Sequence, residues 1–222
     1  QSNQKLMQLL VMNRRLSNAG HITTGDNEVL AKIFSGLKMY IDPRDMAVAV
    51  HIALDSIWEP EITTAWLTVI KPEYTILDIG ANYGYFGLLS SQFTDRKKSK
   101  IIMFEANPHI TPYINKSISI NWFNLRTKVE NLAVSSKAGK VKLNILRNYI
   151  GSSTLQTIEH LESYMGEKMQ LKVEESTEVD AVAIDDYCRS QKIDKVNMIK
   201  MDIEGHEEVA YRGMRKIIRK SD

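Results

Sequence analysis

The chain carries almost no cysteine, little net charge and no long apolar run. A single cysteine, Cys188, excludes an internal disulfide and fits a reducing compartment, so the expected location is cytoplasmic and the thiol is read as inert. A net charge of +2 over 222 residues supplies no strong field for nucleic acid or a membrane surface. Basic residues are spread out and no RNA- or DNA-binding motif is present, so no nucleic-acid partner is expected. No stretch reaches membrane-spanning length, and no leader is visible at Gln1. The missing initial Met is what a segment cut from a longer protein would show. Repeats and low-complexity tracts are absent. His21, His51, His109 and His160 lack acidic or cysteine neighbours at ligand spacing, which argues against zinc.

What is present is the composition of one globular domain with a sizeable core, 43% hydrophobic and 25% charged. The chain is organised around Thr75–Gly87, T-I-L-D-I-G-A-N-Y-G-Y-F-G. Thr75, Ile76, Leu77 and Ile79 predict a strand covered on both faces. Asp78 breaks the run, Gly80 and Gly84 allow a tight turn, and Tyr85-Phe86-Gly87 opens a helix. Open α/β sheets bind ligands at such a carboxyl edge. The dinucleotide fingerprint G-x-G-x-x-G does not fit, because Asn82 stands where a glycine must let backbone approach a diphosphate. Asp78 would repel a diphosphate and suit an ammonium. The turn therefore favours an amino-acid-bearing nucleoside such as S-adenosylmethionine over NAD. An ordinary strand-to-helix turn is the bland alternative.

Residues 1–70 predict a helical cap. Leu6, Leu9, Leu10 and Leu16 share one helical face, and Val29, Leu30, Ile33, Phe34 and Leu37 a second, after a turn at Thr24-Gly25-Asp26. Asp42-Pro43 reads as a helix cap opening Met46–Leu54. Glu59-Pro60 starts another helix with Ile62, Trp66, Val69 and Ile70 inward, stopped by Lys71-Pro72. Covering a sheet is the favoured role of this region. The functional variant has Trp58, Glu59 and Thr63 overhanging the cofactor.

From 71 to 222 strands and helices alternate, which predicts an α/β core with a parallel sheet and helices on both faces. The second strand, Lys100–Glu105, ends in an acid placed to accept both ribose hydroxyls of an adenosine. A third strand fits Lys128–Val134, with Asn131 or Leu132 near an adenine edge. Arg96-Lys97-Lys98 reads as a solvated loop. Val141, Leu143 and Ile145 alternate with polar residues as a half-exposed strand. It leads to a polar loop, Gly151–Thr154, and a charged helical stretch, Thr157–Lys168, either substrate-facing or a simple hairpin excursion. Val179–Ile184 is a further strand, with Asp185 capping the helix after it.

The second informative stretch is V-N-M-I-K-M-D-I-E-G-H-E-E-V-A-Y-R-G, 196–213. Met198–Met201 predicts a buried strand whose carboxyl end gathers Asp202, Glu204, His206 and Glu207. Such a cluster can position a hydroxyl, take its proton or hold a divalent cation such as magnesium on Asp202 and Glu204. His206 suits a general base because its ordinary pKa lies near neutrality. Helix N-terminal preference of Glu207 and Glu208, with an exposed His206, is the bland alternative.

These stretches together are a recognisable pattern. The chain resembles the FkbM family of S-adenosylmethionine-dependent methyltransferases in I-W-E-P-E (57–61), I-L-D-I-G-A-N-Y-G-Y-F (76–86), F-E-A-N-P (104–108), N-L-A-V-S (131–135) and M-I-K-M-D-I-E-G-H-E (198–207). The resemblance implies a Rossmann-like fold and methyl transfer to an oxygen, often of a sugar in a glycan. It carries cofactor roles onto Asp78, Gly80, Asn82, Gly84, Tyr85 and Glu105, and Glu59, Ala81, Phe86, Ala106, Asn131, Leu132 and Asp202 join them as candidate cofactor contacts. It places Asp202, Glu204 and His206 at the active site. The acceptor is expected to be a small-molecule or glycan hydroxyl, and fusion to glycosyltransferase-type domains is in keeping with this. Ala106 stands where the family more often has proline. The stop at Asp222 comes before strands such domains normally add, so either the sequence is shortened there or the sheet is completed differently. A degenerate binding module in a glycan-assembly protein is the competing class, against which the intact Asp78 and Glu105 speak.

Overall fold

The fold is described from a computed structural model covering residues 20–156 and 172–221. Its centre is a parallel sheet of β4 (Thr75–Ile79), β5 (Lys100–Phe104), β6 (Thr127–Glu130) and β11 (Met198–Met201), in the order β11-β4-β5-β6. Successive side chains of a strand face opposite ways. Accordingly Ile76 joins Ile101, Met103, Leu88, Leu89, Ile114 and Ile118 in one core. Leu77 and Ile79 join Ile102, Phe104, Ile184, Tyr187, Met214 and Ile217 in another. Helices α3 (Tyr85–Phe93) and α4 (Thr111–Ile120) cover the first face. Helices α5 (Ile184–Ser190), α6 (Glu207–Arg212) and α7 (Arg215–Lys220) cover the second. The expected α/β architecture is therefore present. Because β5 and β11 flank β4 on opposite sides, the chain reverses its direction of travel beside β4, where such sheets leave a crevice.

A second sheet, ordered β7-β10-β8-β9, is built from β7 (Ala133–Val134), β8 (Gly139–Leu146), β9 (Tyr149–Thr154) and β10 (Val173–Val182). The expected third strand is thus two strands in different sheets, divided at Asn131-Leu132. The expected polar loop at Gly151–Thr154 is strand β9, whose ladder to β8 runs from Tyr149 opposite Leu146 to Thr154 opposite Asn144. Asp185 does not cap its own helix. Its oxygens accept the Lys216 and Ile217 N–H groups (3.1 and 2.8 Å) and so cap α7.

The N-terminal region departs most from expectation. Residues 21–41 form an antiparallel sheet of β1 (His21–Gly25), β2 (Glu28–Lys32) and β3 (Lys38–Ile41), not a helix. Val29, Ala31, Ile33, Met39 and Ile41 are buried in alternation with outward residues. The apolar set Val29, Leu30, Ile33, Phe34, Leu37 fits both periods. The two-residue turn at Asp26-Asn27 and the β-branched Ile22, Thr23 and Thr24 decide for a hairpin. Asp42 caps no helix: it accepts the Arg44 N–H (2.9 Å) and pairs with its guanidinium (2.6 Å). Helix α1 (Ala49–Asp55) begins later, and α2 (Pro60–Val69) begins at its proline as expected. Trp66 is inward, but Ile62 and Val69 are about half exposed (48% and 52%) and Thr63 is buried in their place. Polar anchors set that face: Thr63 Oγ1 donates to the Trp58 carbonyl (2.7 Å) and Trp66 Nε1 to Ser90 Oγ (3.0 Å). The expected helix at 6–16 and the charged stretch 157–168 lie outside the described residues. No helix among the described residues is long and apolar enough to cross a membrane.

Candidate active site

The carboxyl ends of β4, β5 and β11 enclose a cavity, and the glycine turn shapes its floor. Gly80 and Ala81 donate their N–H groups to the Phe104 carbonyl (2.9 and 3.0 Å), tying the turn to β5. Gly80 has φ +73°, and a Cβ there would lie 1.8 Å from the Asp202 carbonyl oxygen. Only glycine lets the end of β4 pass so close to the end of β11. Asn82 also adopts a left-handed backbone (φ 53°), which asparagine tolerates.

Glu105 follows β5 and is 7% exposed. Its Oε2 accepts the Asn82 N–H (2.7 Å) and its Oε1 the Asn107 N–H (2.8 Å). Burial pushes its carboxyl up to about 7, against the pull of those two donors. Each oxygen keeps a further lone pair for a ligand hydroxyl. Asp78 is fully buried and does not line the cavity. Its Oδ2 accepts the Gly87 N–H (2.9 Å), pinning α3 to β4, and its Oδ1 has no partner among the described residues. Burial raises it to about 6. Its side chain is therefore set behind the cavity wall, where only its field reaches the cavity.

Ala81, Tyr85, Phe86, Ala106 and Leu132 line the cavity together with Gly80, Asn82 and Glu105, whereas Gly84, Glu59 and Asn131 do not. Asn131 instead donates to the carbonyls of Glu105 (2.9 Å) and Ala106 (3.1 Å), fixing the turn after β5. Gly84 has φ +86° and its Cβ position is hemmed in by Met103 and Ile114, so its role is to start α3. Glu59 sits at the start of α2 with φ 42°. Burial raises its carboxyl, with Lys200 opposing. Its neighbour Trp58 is the residue of that segment that reaches the cavity.

At the end of β11, Asp202 and Glu204 line the cavity and His206 does not. The His206 Nε2 faces Ser135 Oγ at 3.2 Å, and burial pushes the imidazole below its usual range. Burial, then the Asp202 and Glu207 charges, push the Glu204 carboxyl up. Glu207 Oε1 accepts the Ile203 N–H (2.9 Å), so this acid secures the turn. His51, expected to lack an acidic neighbour, has Asp55 one helical turn on (3.4 Å), but among the described residues no group of three or more His, Cys, Asp or Glu is arranged to hold a metal ion.

Strand β9 roofs the cavity, a feature that the sequence reading took for a loop. Asn82 Nδ2 donates to the Gly151 carbonyl (2.9 Å), and the buried Asn107 Nδ2 to the Ile150 carbonyl (3.1 Å) and Ser153 Oγ (2.9 Å). On the other side Thr154 Oγ1 donates to the Glu204 carbonyl (3.1 Å) and Gln156 Nε2 to that of Gly205 (2.7 Å). Lys200 was also missed. It lines the cavity from within β11, and its signal was a lone charge inside the apolar run Met198-Ile199-Lys200-Met201.

Residues 78–222 match the family model described as Methyltransferase FkbM domain. Methyltransferase sdnD of Sordaria araneosa is 26% identical over 159 residues, 63% of this chain; the chain spans 60% of that relative's length. Among solved structures, Methyltransferase FkbM from Methylobacillus flagellatus KT is 17% identical with a TM-score of 0.40, over 76% of this chain and 39% of that one. P. horikoshii TYW2 in complex with MeSAdo is 19% identical with a TM-score of 0.38, over 49% and 37%. With the family model covering the glycine turn, Glu105 and the Asp202–Glu207 turn alike, the chain belongs to the FkbM methyltransferase domain family.

Proposed function

We propose that this chain binds S-adenosylmethionine and transfers its methyl group to a hydroxyl of a sugar, in a glycan or glycoconjugate. The observation that carries the reading is Glu105. A buried carboxylate held by two backbone donors at the end of β5 is built to accept a ligand's paired hydroxyls. The charge around it supports the same class of ligand. Glu105, Asp202 and Glu204 line the cavity and Asp78 lies behind its wall, against the single cation Lys200 among the lining residues. That balance favours a sulfonium nucleoside and opposes a diphosphate.

The cofactor supplies an already activated methyl group, so alignment and proton removal are left to the protein. Glu105 fixes the ribose end, and the glycine turn and Leu132 shape the nucleoside side. Glu204 and Asp202, at the cavity rim, are the groups placed to receive the acceptor's proton. Burial raises the Glu204 carboxyl, which makes it a better proton acceptor than an ordinary carboxylate. Ser152 on the roof adds a hydroxyl suited to a polyhydroxylated acceptor, whereas that of Ser153 is engaged with Asn107 and Ile150.

The test is calorimetric titration of the full chain with S-adenosylmethionine, S-adenosylhomocysteine and NAD, followed by transfer of a labelled methyl group to a panel of sugars. Saturable binding of the first two ligands and not of NAD is expected, with label on a sugar hydroxyl. A folded chain that binds neither adenosyl ligand would overturn the cofactor reading. Binding with label only on nitrogen or on non-sugar acceptors would overturn the acceptor.

A further inference from the structure

Resting on that cofactor reading, we propose that Lys200 receives the carboxylate of the cofactor's methionine end. Lys200 sits on β11 level with Asp78 on β4, so both project from the same face of the sheet. Its side chain is 14% exposed, and its Nζ lies 5.3 Å from the centre of the Phe86 ring. Among the described residues its one ion pair is a long one, 3.5 Å to Asp202, whose side chain is 59% exposed. An ammonium has three donors, and one long ion pair and one aromatic face leave donors that a ligand can satisfy.

A second group of donors belongs to the same cavity wall. The Tyr85 and Phe86 N–H groups at the start of the nine-residue α3 have no acceptor among the described residues. A helix start of this kind favours negative charge. Lys200, Tyr85 and Phe86 thus bring the anion-accepting groups to a cavity otherwise lined by the carboxylates Glu105, Asp202 and Glu204. A wholly anionic ligand is disfavoured by Asp202, Glu204 and Glu105. One carboxylate on an otherwise cationic ligand is what the arrangement fits. The neighbouring ammonium of the same amino-acid end then meets Asp202 and the fields of Asp78 and Glu59. Lys200 already acts on the charges of Glu59, Asp78, Glu105 and Glu204.

The experiment removes each partner of the contact separately. S-adenosylhomocysteine is compared with its decarboxylated analogue, S-adenosyl-3-thiopropylamine, which keeps the ammonium, on the parent chain, Lys200→Met and Lys200→Arg. The parent should prefer the carboxylated ligand by about tenfold or more, the scale of a buried charge pair. In Lys200→Met the preference should fall to about one, with affinity for the analogue within about twofold of the parent's. Lys200→Arg should retain most of the preference. A parental preference persisting in Lys200→Met, or equal loss of both ligands, overturns the assignment while leaving the cofactor reading standing. A parent that binds neither ligand overturns both, and the two failures are told apart by the parent alone.

Discussion

The two sides of the cavity are built differently. On the β4–β5 side the carboxylates and the turn are pinned to the backbone: Glu105 holds two N–H donors, Asp78 a third, and the turn donates twice to Phe104. On the β11 side Asp202 is largely exposed, its pairing with Lys200 is long, and Glu204 presents an accessible carboxylate on a left-handed backbone. Pre-set donors and acceptors suit a ligand that is always the same, the cofactor. A looser, acidic rim suits an acceptor that must enter, lose a proton and leave. The contrast teaches that one fold can hold a rigid and an adaptable half a few residues apart, provided that something fixes their spacing.

Gly80 is what fixes it, so Gly80→Ala is the most damaging way to break the comparison. The added methyl would sit 1.8 Å from the Asp202 carbonyl, a backbone atom that cannot rotate away, at a φ of +73°. Loss of at least about 4 kcal/mol of stability is expected, the class of backbone strain combined with core clash. Denaturant melts would show it, and a variant with parental stability would mean that the β4 and β11 ends are not held as close as described.

Glu105→Gln attacks the rigid half alone. The amide nitrogen would confront one of two N–H donors, so an oxygen acceptor is lost and a donor is opposed to a donor. Affinity for S-adenosylhomocysteine should fall by about a hundredfold, the loss of a charged hydrogen-bond pair. Calorimetry measures it, and an unchanged affinity would remove Glu105 from the cofactor site.

How far this site could be foreseen depended on whether local pattern and tertiary packing agree. β4, the glycine turn and Glu105 are legible because an unbroken apolar run, two glycines and a terminal acid all follow from one strand buried on both faces. β11 is legible for the same reason. β2 is not, because Val29, Ile33 and Leu37 satisfy a helical spacing while Val29, Ala31 and Ile33 satisfy a strand. β9 is invisible locally, since Gly151-Ser152-Ser153-Thr154 has turn composition. Partners far away in sequence, Asn82 and Asn107, hold it extended across the cavity. Which way Asp78 and His206 face is likewise a property of packing, not of the motifs that contain them.

The rigid half also sets a pH dependence. Burial raises the Glu105 carboxyl to about 7, so it is largely protonated at pH 6 and ionised at pH 8. A ribose hydroxyl donates better to the ionised form. Affinity for S-adenosylhomocysteine should therefore rise with pH by about tenfold across this window, the linkage for one group titrating in the free protein. In Glu105→Gln the profile should flatten. A parental profile that is flat or falls with pH would show that the ligand does not use the ionised carboxylate.

His206 carries the smallest expected effect and tests whether the loose half ends where the cavity does. The motif places it beside Asp202 and Glu204, yet the ring turns to Ser135, away from the cavity, with its Nε2 at 3.2 Å from the hydroxyl. Burial lowers its affinity for a proton, and the hydrogen-bonding partner it has among the described residues is Ser135. His206→Ala should cost about 1 kcal/mol of stability, one modest hydrogen bond. Turnover should change by less than about threefold, where loss of a general base costs a hundredfold or more. A large fall in turnover with cofactor affinity intact would put the imidazole back in the proton path and extend the adaptable half beyond Glu204.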